Sequence, residues 1–194
     1  MRNAVLMANK SVHSKFGNSF WGAMEADRHS PFRLVLLDSY AALDRWPELE
    51  AAITDAFDGA SFCDGIDPAL PLKHSRSVIE PECAGLQHVI ALNQANQVQG
   101  AIFRIAKSRM PDTYEWEPGF FFTLKTLPVT DRVKVASAIM ELAHRVLKEL
   151  GYKRIVCAMG TVAGARFLAK QFGYVNEPSS CQANRWIKEL LGPA

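Results

Sequence analysis

The junction between an apolar strand and a helix near residue 130 carries the residues whose types and spacing best suit ligand chemistry. The sequence there reads Pro128-Val129-Thr130-Asp131-Arg132-Val133-Lys134-Val135-Ala136-Ser137. A strand that leads into a helix presents the N–H groups and the positive end of the helix to whatever lies in front of them. Arg132 and Lys134 would add positive charge. The junction predicts an anion-binding site, and the alternative is that both residues are only the solvated start of a helix.

A pair of carboxylates just before the preceding strand is the second candidate for chemistry. Glu115 and Glu117 stand beside Tyr114 and Trp116 in the sequence. A carboxylate next to aromatic rings can have a raised pKa, which suits a general base. The alternative is that this segment is an ordinary strand edge or loop.

The cysteines and histidines do not form a pattern typical of a metal site. The chain has four cysteines and five histidines, and they are dispersed without ligand spacing. We therefore expect no metal. Cys157 is predicted to be a small buried residue, because a nucleophilic thiol needs a base partner. His144 is predicted to lie on the surface of its helix, and His88 to be a satisfied core or edge histidine.

Composition excludes several classes of protein. The 194 residues suit one domain of ordinary size, and 48% of them are hydrophobic, which is enough for a packed core. A net charge of +2 is too small to predict nucleic-acid binding. No apolar run reaches the roughly 18–20 residues that span a bilayer, and the first residues lack a signal-peptide core. We expect a cytoplasmic protein that binds neither nucleic acid nor membrane.

The first 30 residues differ from the rest and are predicted to form an N-terminal arm. Phe20, Trp21 and Met24 fall at helical spacing among Asn, Ser and Gly residues. They favour a short helix that docks on a protein partner, on a second copy of the chain or on the domain itself. The alternative is a poorly ordered arm. Residues 31–194 are predicted to form a single domain.

The remaining pattern predicts strands and helices in a fixed order. Up to residue 85 we expect a strand at 32–37, helices at about 40–46 and 47–57 with Ser39 as the first cap, and a long loop over 58–83 that is functional or mobile and has at most one helical turn. After it we expect a hairpin of strands 86–92 and 98–106, then a strand at 119–127. A long helix follows, capped by Thr130 or Asp131 and ended by Gly151. A strand at 153–159, a helix at 162–172 and a strand at 182–188 complete an α+β order.

This order resembles the Gcn5-related N-acetyltransferase (GNAT) superfamily over about residues 32–190. The diphosphate-binding loop of that family reads Arg/Gln-x-x-Gly-x-Gly/Ala, and the matching run here is Arg132-Val133-Lys134-Val135-Ala136-Ser137. The arginine matches, whereas the middle glycine is Val135 and the last small residue is Ser137. Because glycine lets the backbone approach a phosphate closely, Val135 is expected to narrow the room for a ligand.

A second motif of the family follows the fifth strand and reads Ala-x-x-Phe-Tyr-x-x-x-Gly-Phe. The matching run is Ala165 to Tyr174, in which Ala165, Gly173 and the aromatic Tyr174 agree. Ala169 stands where many members have a tyrosine that protonates the departing thiolate. The asparagine usually found just upstream is also absent.

The resemblance implies an acyl-CoA N-acyltransferase fold, with a mixed central sheet flanked by helices. It further implies an N-acetyltransferase that moves an acyl group from acetyl-CoA to an amine, on a small molecule or a protein. Glu117 or Glu115 would be the base, and the cofactor contacts would come from Leu127, Val129, Arg132, Val133, Lys134, Val135, Ala136 and Ser137. The alternative, favoured by Val135 and Ala169, is a catalytically degenerate GNAT-fold binding or structural protein, such as a phage- or virion-associated one.

Overall fold

In a computed structural model, the chain forms two four-stranded sheets with helices packed against them. The structure describes residues 31–63, 66–80, 87–105, 113–116, 119–149, 151–178 and 184–190. The predicted arm, residues 1–30, lies outside them. The strands are β1 (Phe32–Leu37), β2 (Gln87–Asn93), β3 (Val98–Ile105), β4 (Thr113–Trp116), β5 (Gly119–Thr123), β6 (Arg154–Cys157), β7 (Val175–Asn176) and β8 (Trp186–Glu189). The helices are α1 (Ser39–Asp44), α2 (Trp46–Phe57), α3 (Leu70–Val78), α4 (Val129–Glu149) and α5 (Val162–Phe172).

The sheets have different topologies. The first has the order β1-β2-β3-β5 and is antiparallel throughout. The second has the order β4-β6-β8-β7, in which β4 and β6 are parallel and the other pairs antiparallel. The predicted α+β fold with a mixed sheet arrangement is therefore confirmed, and so is the hairpin of β2 and β3.

Each face of the first sheet is covered by its own helices. The apolar stripe of α4 packs with β2, β6 and α5 in one core cluster, which includes Ile139, Met140 and Leu147. Helices α2 and α3 pack on the other face, around Leu49, Ile53 and Phe103. The helix periodicity of the sequence fixes these buried faces, since apolar residues spaced three and four apart lie on one side of a helix.

A close approach of backbone to helix explains one glycine. A Cβ atom at Gly100 of β3 would lie 2.6 Å from the Phe122 carbonyl oxygen and 3.2 Å from Ile139 Cδ1. Only a residue without a side chain lets α4 pack this closely on β3 and β5. Gly100 thus fixes the distance between α4 and the strand that leads into it.

Two predictions about the first half of the domain are wrong. The cap of α1 is Asp38, whose carboxylate accepts a hydrogen bond from the Ala41 N–H, while Ser39 is the first helical residue. The loop predicted over 58–83 contains a nine-residue helix, α3. This helix begins with Leu70 and Pro71, and proline is favourable in the first turn of a helix. The sequence pattern alone did not reveal the helix, because the amphipathic pattern is short.

The strand-to-helix junction also differs from its prediction. Strand β5 ends at Thr123 rather than at residue 127, and α4 begins at Val129, before the predicted caps Thr130 and Asp131. The Pro128 carbonyl accepts hydrogen bonds from the N–H groups of Asp131 and Arg132. Proline is favourable at a helix start, because its fixed φ angle suits the helix and no backbone N–H is needed there.

Within the described residues, no helix is both long and apolar enough to cross a membrane.

Candidate functional site

The site is created where one stretch of chain changes its strand partner. β4 pairs in parallel with β6, from Thr113 opposite Arg154 to Trp116 opposite Cys157. A few residues later β5 pairs with β3 instead. The two sheets therefore part after Trp116. As the chain leaves the second sheet for the first, an opening forms between the end of β5 and the end of β6.

A groove with a volume of about 410 Å³ lies in this opening. That volume is in the range of small-molecule sites. Four parts of the chain line it: the end of α2 with the segment after it, the end of β5 with its following turn, the first two turns of α4, and the start of α5. The lining residues are Ala56, Phe57, Asp58, Gly59, Ala60, Ser61, Phe121, Phe122, Thr123, Lys125, Val129, Arg132, Val133, Ala136, Thr161, Ala163, Gly164 and Phe167.

The start of α4 turns a separate stripe toward the groove. Val129, Arg132, Val133 and Ala136 are spaced three and four apart and all line it. Val129 and Val133 are 65% and 41% exposed, unusually high for valine. A group of exposed apolar residues at a concave surface is typical of a binding site.

The predicted effect of Val135 is wrong. Its side chain is 2% exposed and belongs to the core cluster on the opposite side of α4. Because α4 begins at Val129, Val135 lies in the second helical turn, where its N–H donates within the helix. Its side chain therefore takes no room from a ligand at the groove. The loss of the family's glycine at this position does not block the site.

Arg132 is the cation best placed for a ligand. Its guanidinium lines the groove and makes no ion pair or side-chain hydrogen bond to another described residue. Lys134, in contrast, is exposed, does not line the groove and lies 3.5 Å from the Asp131 carboxylate. Of the two cations predicted from the sequence, the structure brings only Arg132 to the groove.

The segment that follows α2, residues 58–63, lines one side of the groove, and we call it the strap. Its backbone pairs with the start of α5: the Cys63 N–H donates to the Gly160 carbonyl and the Val162 N–H to the Ser61 carbonyl, at 3.1 and 3.0 Å. Phe62 forms an antiparallel bridge with Thr161. The strap thus joins the face that carries α2 to the end of β6.

The start of α5 forms one wall of the groove, and several of its residues are small. Thr161 caps the helix, and its hydroxyl accepts a hydrogen bond from the Gly164 N–H at 3.1 Å. Ala163, Gly164 and Phe167 follow on the groove side. Small residues here leave room that larger side chains would fill. Ala169, which stands at the family's tyrosine position, does not line the groove.

Aromatic rings form much of the apolar surface. Phe121 stacks on Phe167 with ring centroids 6.2 Å apart. On the strap side, Phe57 packs against Phe62 and Phe122 at 6.1 and 6.5 Å. These contacts fix the rings in place, since paired aromatic rings gain packing energy beyond their buried area. The groove is therefore a largely apolar slot whose charged lining residues are Asp58, Lys125 and Arg132.

The remaining site residues predicted from the sequence are Leu127, Ser137, Glu115 and Glu117. Leu127 is partly buried against the core cluster of α4, and Ser137 is half-buried in α4 outside the groove lining. The backbone of Glu115 lies in β4 opposite Val156. Glu117 lies outside the described residues. The carboxylates remain predictions.

Sequence reasoning missed Lys125, Asp58 and Phe167, which all line the groove. Lys125 and Asp58 lie far apart in the sequence and meet only through the tertiary structure. The one available signal was the predicted loop at 58–83, whose length alone suggested a function. Part of that loop is the strap.

His144, His88 and Cys157 are buried away from the groove. Burial lowers the pKa of His144 to about 4, and the nearby Lys188 and Lys148 lower it further in the same direction. The His144 Nε2 and the Tyr174 hydroxyl are 2.9 Å apart and hydrogen-bonded. His144 is 8% exposed, so its predicted surface position is wrong. His144 lies on the buried side of α4, where its ring is hydrogen-bonded to Tyr174 in the segment after α5.

Cys157 and His88 match their predictions. Cys157 is buried, and burial raises its thiol pKa to about 12, so the thiol is inert at neutral pH. His88 is fully buried, its Nε2 lies 3.4 Å from the Ser39 hydroxyl, and burial lowers its pKa to about 4 against a smaller opposing effect of Asp38. Neither residue reaches the groove.

In the part of the chain that the structure describes, no group of three or more His, Cys, Asp or Glu side chains is placed to hold a metal ion.

A comparison of the sequence with protein-family models and with curated proteins finds no match. Solved structures do match. The PaiA N-acetyltransferase from Thermoplasma acidophilum in complex with coenzyme A is 11% identical, with a TM-score of 0.59 over 82% of this chain and 99% of that one. The GNAT family N-acetyltransferase YhbS from Escherichia coli in complex with CoA is 12% identical, with a TM-score of 0.57 over 86% of each chain.

The aminoglycoside 6'-N-acetyltransferase from Enterococcus faecium is 10% identical, with a TM-score of 0.54 over 83% of this chain and 98% of that one. Identities this low carry the fold and not the substrate. The matches span 99% of the first of these structures, 86% of the second and 98% of the third, together with 82–86% of this chain. This chain has the fold of the GNAT N-acetyltransferases.

Proposed function

We propose that the protein is an acyl-CoA-dependent N-acetyltransferase that transfers an acetyl group from acetyl-CoA to an amine. The observation that carries the proposal is Arg132 at the start of α4, which lines an apolar groove and has no ion-pair or side-chain hydrogen-bond partner among the described residues. A cationic group placed in this way favours an anionic ligand.

The lining of the groove suits two parts of coenzyme A, its diphosphate and its pantetheine arm. Its diphosphate would lie against Arg132 and the first-turn N–H groups of α4, such as that of Val129, which have no partner inside the helix. Its thin pantetheine arm would lie along β5, between Phe121 and the small residues of α5. Lys134, Leu127 and Ser137 stay predictions, because they do not line the groove.

The reaction needs few further groups. The amine nitrogen forms a bond to the acetyl carbon, the carbon–sulfur bond breaks, and CoA leaves as a thiolate, which takes up a proton from the solvent to become the thiol. A base accepts the proton that the amine loses. Glu117 and Glu115 are the candidates, because their segment leads into β5 at the point where the sheets part.

Acetyl-CoA is expected to stabilise the protein against heat. A ligand at 100 times its dissociation constant that binds only the native state adds about 2.7 kcal/mol, or roughly 5–10 °C in melting temperature for a chain of this size. Arg132→Ala should remove a charge-assisted contact and reduce this gain by about half or more. Arg166→Ala, which removes an exposed arginine of α5 outside the groove, is the matched control. No shift at millimolar acetyl-CoA would exclude the proposal.

Glu117→Gln and Glu115→Gln are expected to separate binding from turnover. If one of them is the base, its amide variant should bind acetyl-CoA as the wild type does. It should release CoA thiol about 100-fold more slowly in the presence of an accepted amine, the usual size of a general-base contribution. Thiol release and thermal shift measured on the same samples test this. Equal turnover in both variants and the wild type would show that the base lies elsewhere.

A second candidate function is CoA binding without acetylation, in a protein that acts as a binding or structural component. Ala169 favours it, because this position has no hydroxyl to protonate the thiolate. A thermal shift with acetyl-CoA but no thiol release across a panel of primary amines would support it. The acceptor of the enzyme, a small molecule or a protein, and a cytoplasmic location remain parts of the proposal. So does docking through residues 1–30, whose deletion should change the oligomeric state or partner binding.

A further inference from the structure

We propose that Lys125 is a second anchor for the diphosphate of coenzyme A, and that the Asp58 carboxylate competes with the ligand for it. The inference rests on the proposed function, since it concerns the same groove. Lys125 is the second residue after β5 and lines the groove together with Arg132. Two cations from different elements therefore face one site, as expected for a ligand that carries more than one negative charge.

The backbone of Lys125 is held while its ammonium remains exchangeable. The Lys125 N–H donates to Asp55 Oδ2 at 2.7 Å, which fixes the turn after β5 against the end of α2. The ammonium has a different partner: Nζ lies 2.9 Å from the Asp58 carbonyl oxygen and 3.0 Å from Asp58 Oδ2. The backbone of Lys125 therefore stays in place when its ammonium moves from Asp58 to a ligand.

The ion pair with Asp58 is weak enough to exchange. The Lys125 and Asp58 side chains are 50% and 75% exposed, and pairs exposed to solvent in this way contribute little to stability. A diphosphate offers more charge and more acceptor oxygens than one carboxylate. The ammonium is therefore expected to leave Asp58 for the ligand, with the carboxylate lowering the net affinity.

Asp58 lies on the strap, so the exchange also affects the groove wall. Gly59 adopts a left-handed φ of 61°, and a Cβ atom there would lie 3.8 Å from Lys125 Nζ. This turn places Asp58 beside the ammonium. When Lys125 binds the diphosphate, the strap loses that contact and keeps its two backbone hydrogen bonds to residues 160 and 162.

The test is the dissociation constant of coenzyme A, measured by calorimetry on four proteins. Asp58→Asn keeps the size of the side chain and removes its charge, and it should tighten binding about two- to fivefold. Lys125→Met should weaken binding about tenfold. The double variant should bind as Lys125→Met does, because the carboxylate then has no ammonium to hold. Glu189→Gln, which breaks the comparably exposed pair with Arg154 outside the groove, should leave the affinity unchanged.

Two results would overturn the inference alone: wild-type affinity in Lys125→Met, or an equal gain from Asp58→Asn with and without Lys125. Dephospho-CoA, which keeps the diphosphate and lacks the 3'-phosphate, should show the same loss in Lys125→Met. A loss seen only with CoA would overturn the diphosphate assignment. Wild-type protein that fails to bind CoA would instead overturn the proposed function, and this inference with it.

Discussion

Lowering the pH from 7 to 5 is expected to reduce the free energy of unfolding by about 4 kcal/mol. Burial lowers the pKa of both His88 and His144 from 6.5 to about 4. Between these two values the unfolded chain binds protons that the native protein excludes, so acid favours unfolding. Each histidine contributes about 2 kcal/mol over this interval. The loss begins near pH 6.5 and stops growing below about pH 4, where the native histidines also bind protons.

Denaturant unfolding at half-unit steps of pH measures this effect. His144→Gln cannot titrate and should flatten the slope between pH 7 and 5 by about half, whatever its stability at pH 7. Tyr174→Phe is the matched control, because it removes the same 2.9 Å hydrogen bond and keeps the imidazole, so its slope should stay steep. A His144→Gln slope equal to that of the wild type would show that the ring is not kept neutral by burial.

Ala163→Trp is expected to abolish the stabilisation by acetyl-CoA, a loss of about 2.7 kcal/mol at a ligand concentration of 100 wild-type dissociation constants. Ala163 is exposed and lines the groove at the start of α5. An indole there would lie over the apolar slot beside Gly164 and Phe167, in the space proposed for the pantetheine arm. Because the site is on the surface, the unliganded protein should keep its stability within about 0.5 kcal/mol.

Thermal shifts with and without acetyl-CoA check the expectation. Ala51→Trp is the control, because it places the same side chain on an exposed position of α2 that does not line the groove. It should keep the full shift. If Ala163→Trp also keeps the full shift, acetyl-CoA binds somewhere other than this groove, and the assignment of the groove fails even though the protein binds the ligand.

Much of the fold could be predicted because its signals are local. Helix α5 has the predicted bounds, since Thr161 caps it and Gly173, with a φ of 67°, ends it. The hairpin of β2 and β3 likewise follows from a short polar turn between apolar strands. Helix α3 was missed because nine residues that include a proline give too short a pattern to distinguish a helix from a loop.

Predictions that depended on the direction of a side chain were less successful. The sequence pattern predicts a surface position for His144, but the tertiary structure buries it against Tyr174. The motif predicts Val135 in the ligand site, but α4 begins at Val129 and carries Val135 in the core. Moving the start of a helix by one residue turns every later side chain by about 100° relative to the strand before the helix.

The sequence by itself determined α2, α4, α5, the hairpin of β2 and β3, and Arg132 as the candidate anion contact, because each follows from periodicity, caps or a local motif. The GNAT-like fold was implied by the resemblance of two motifs and of the element order to that family. Only the tertiary structure decided what surrounds that arginine. It brought Lys125 and Asp58 to the groove from two distant turns. Such contacts depend on how the sheets part after β4 and on how α2 packs against β5, and no short-range pattern in the chain encodes that geometry.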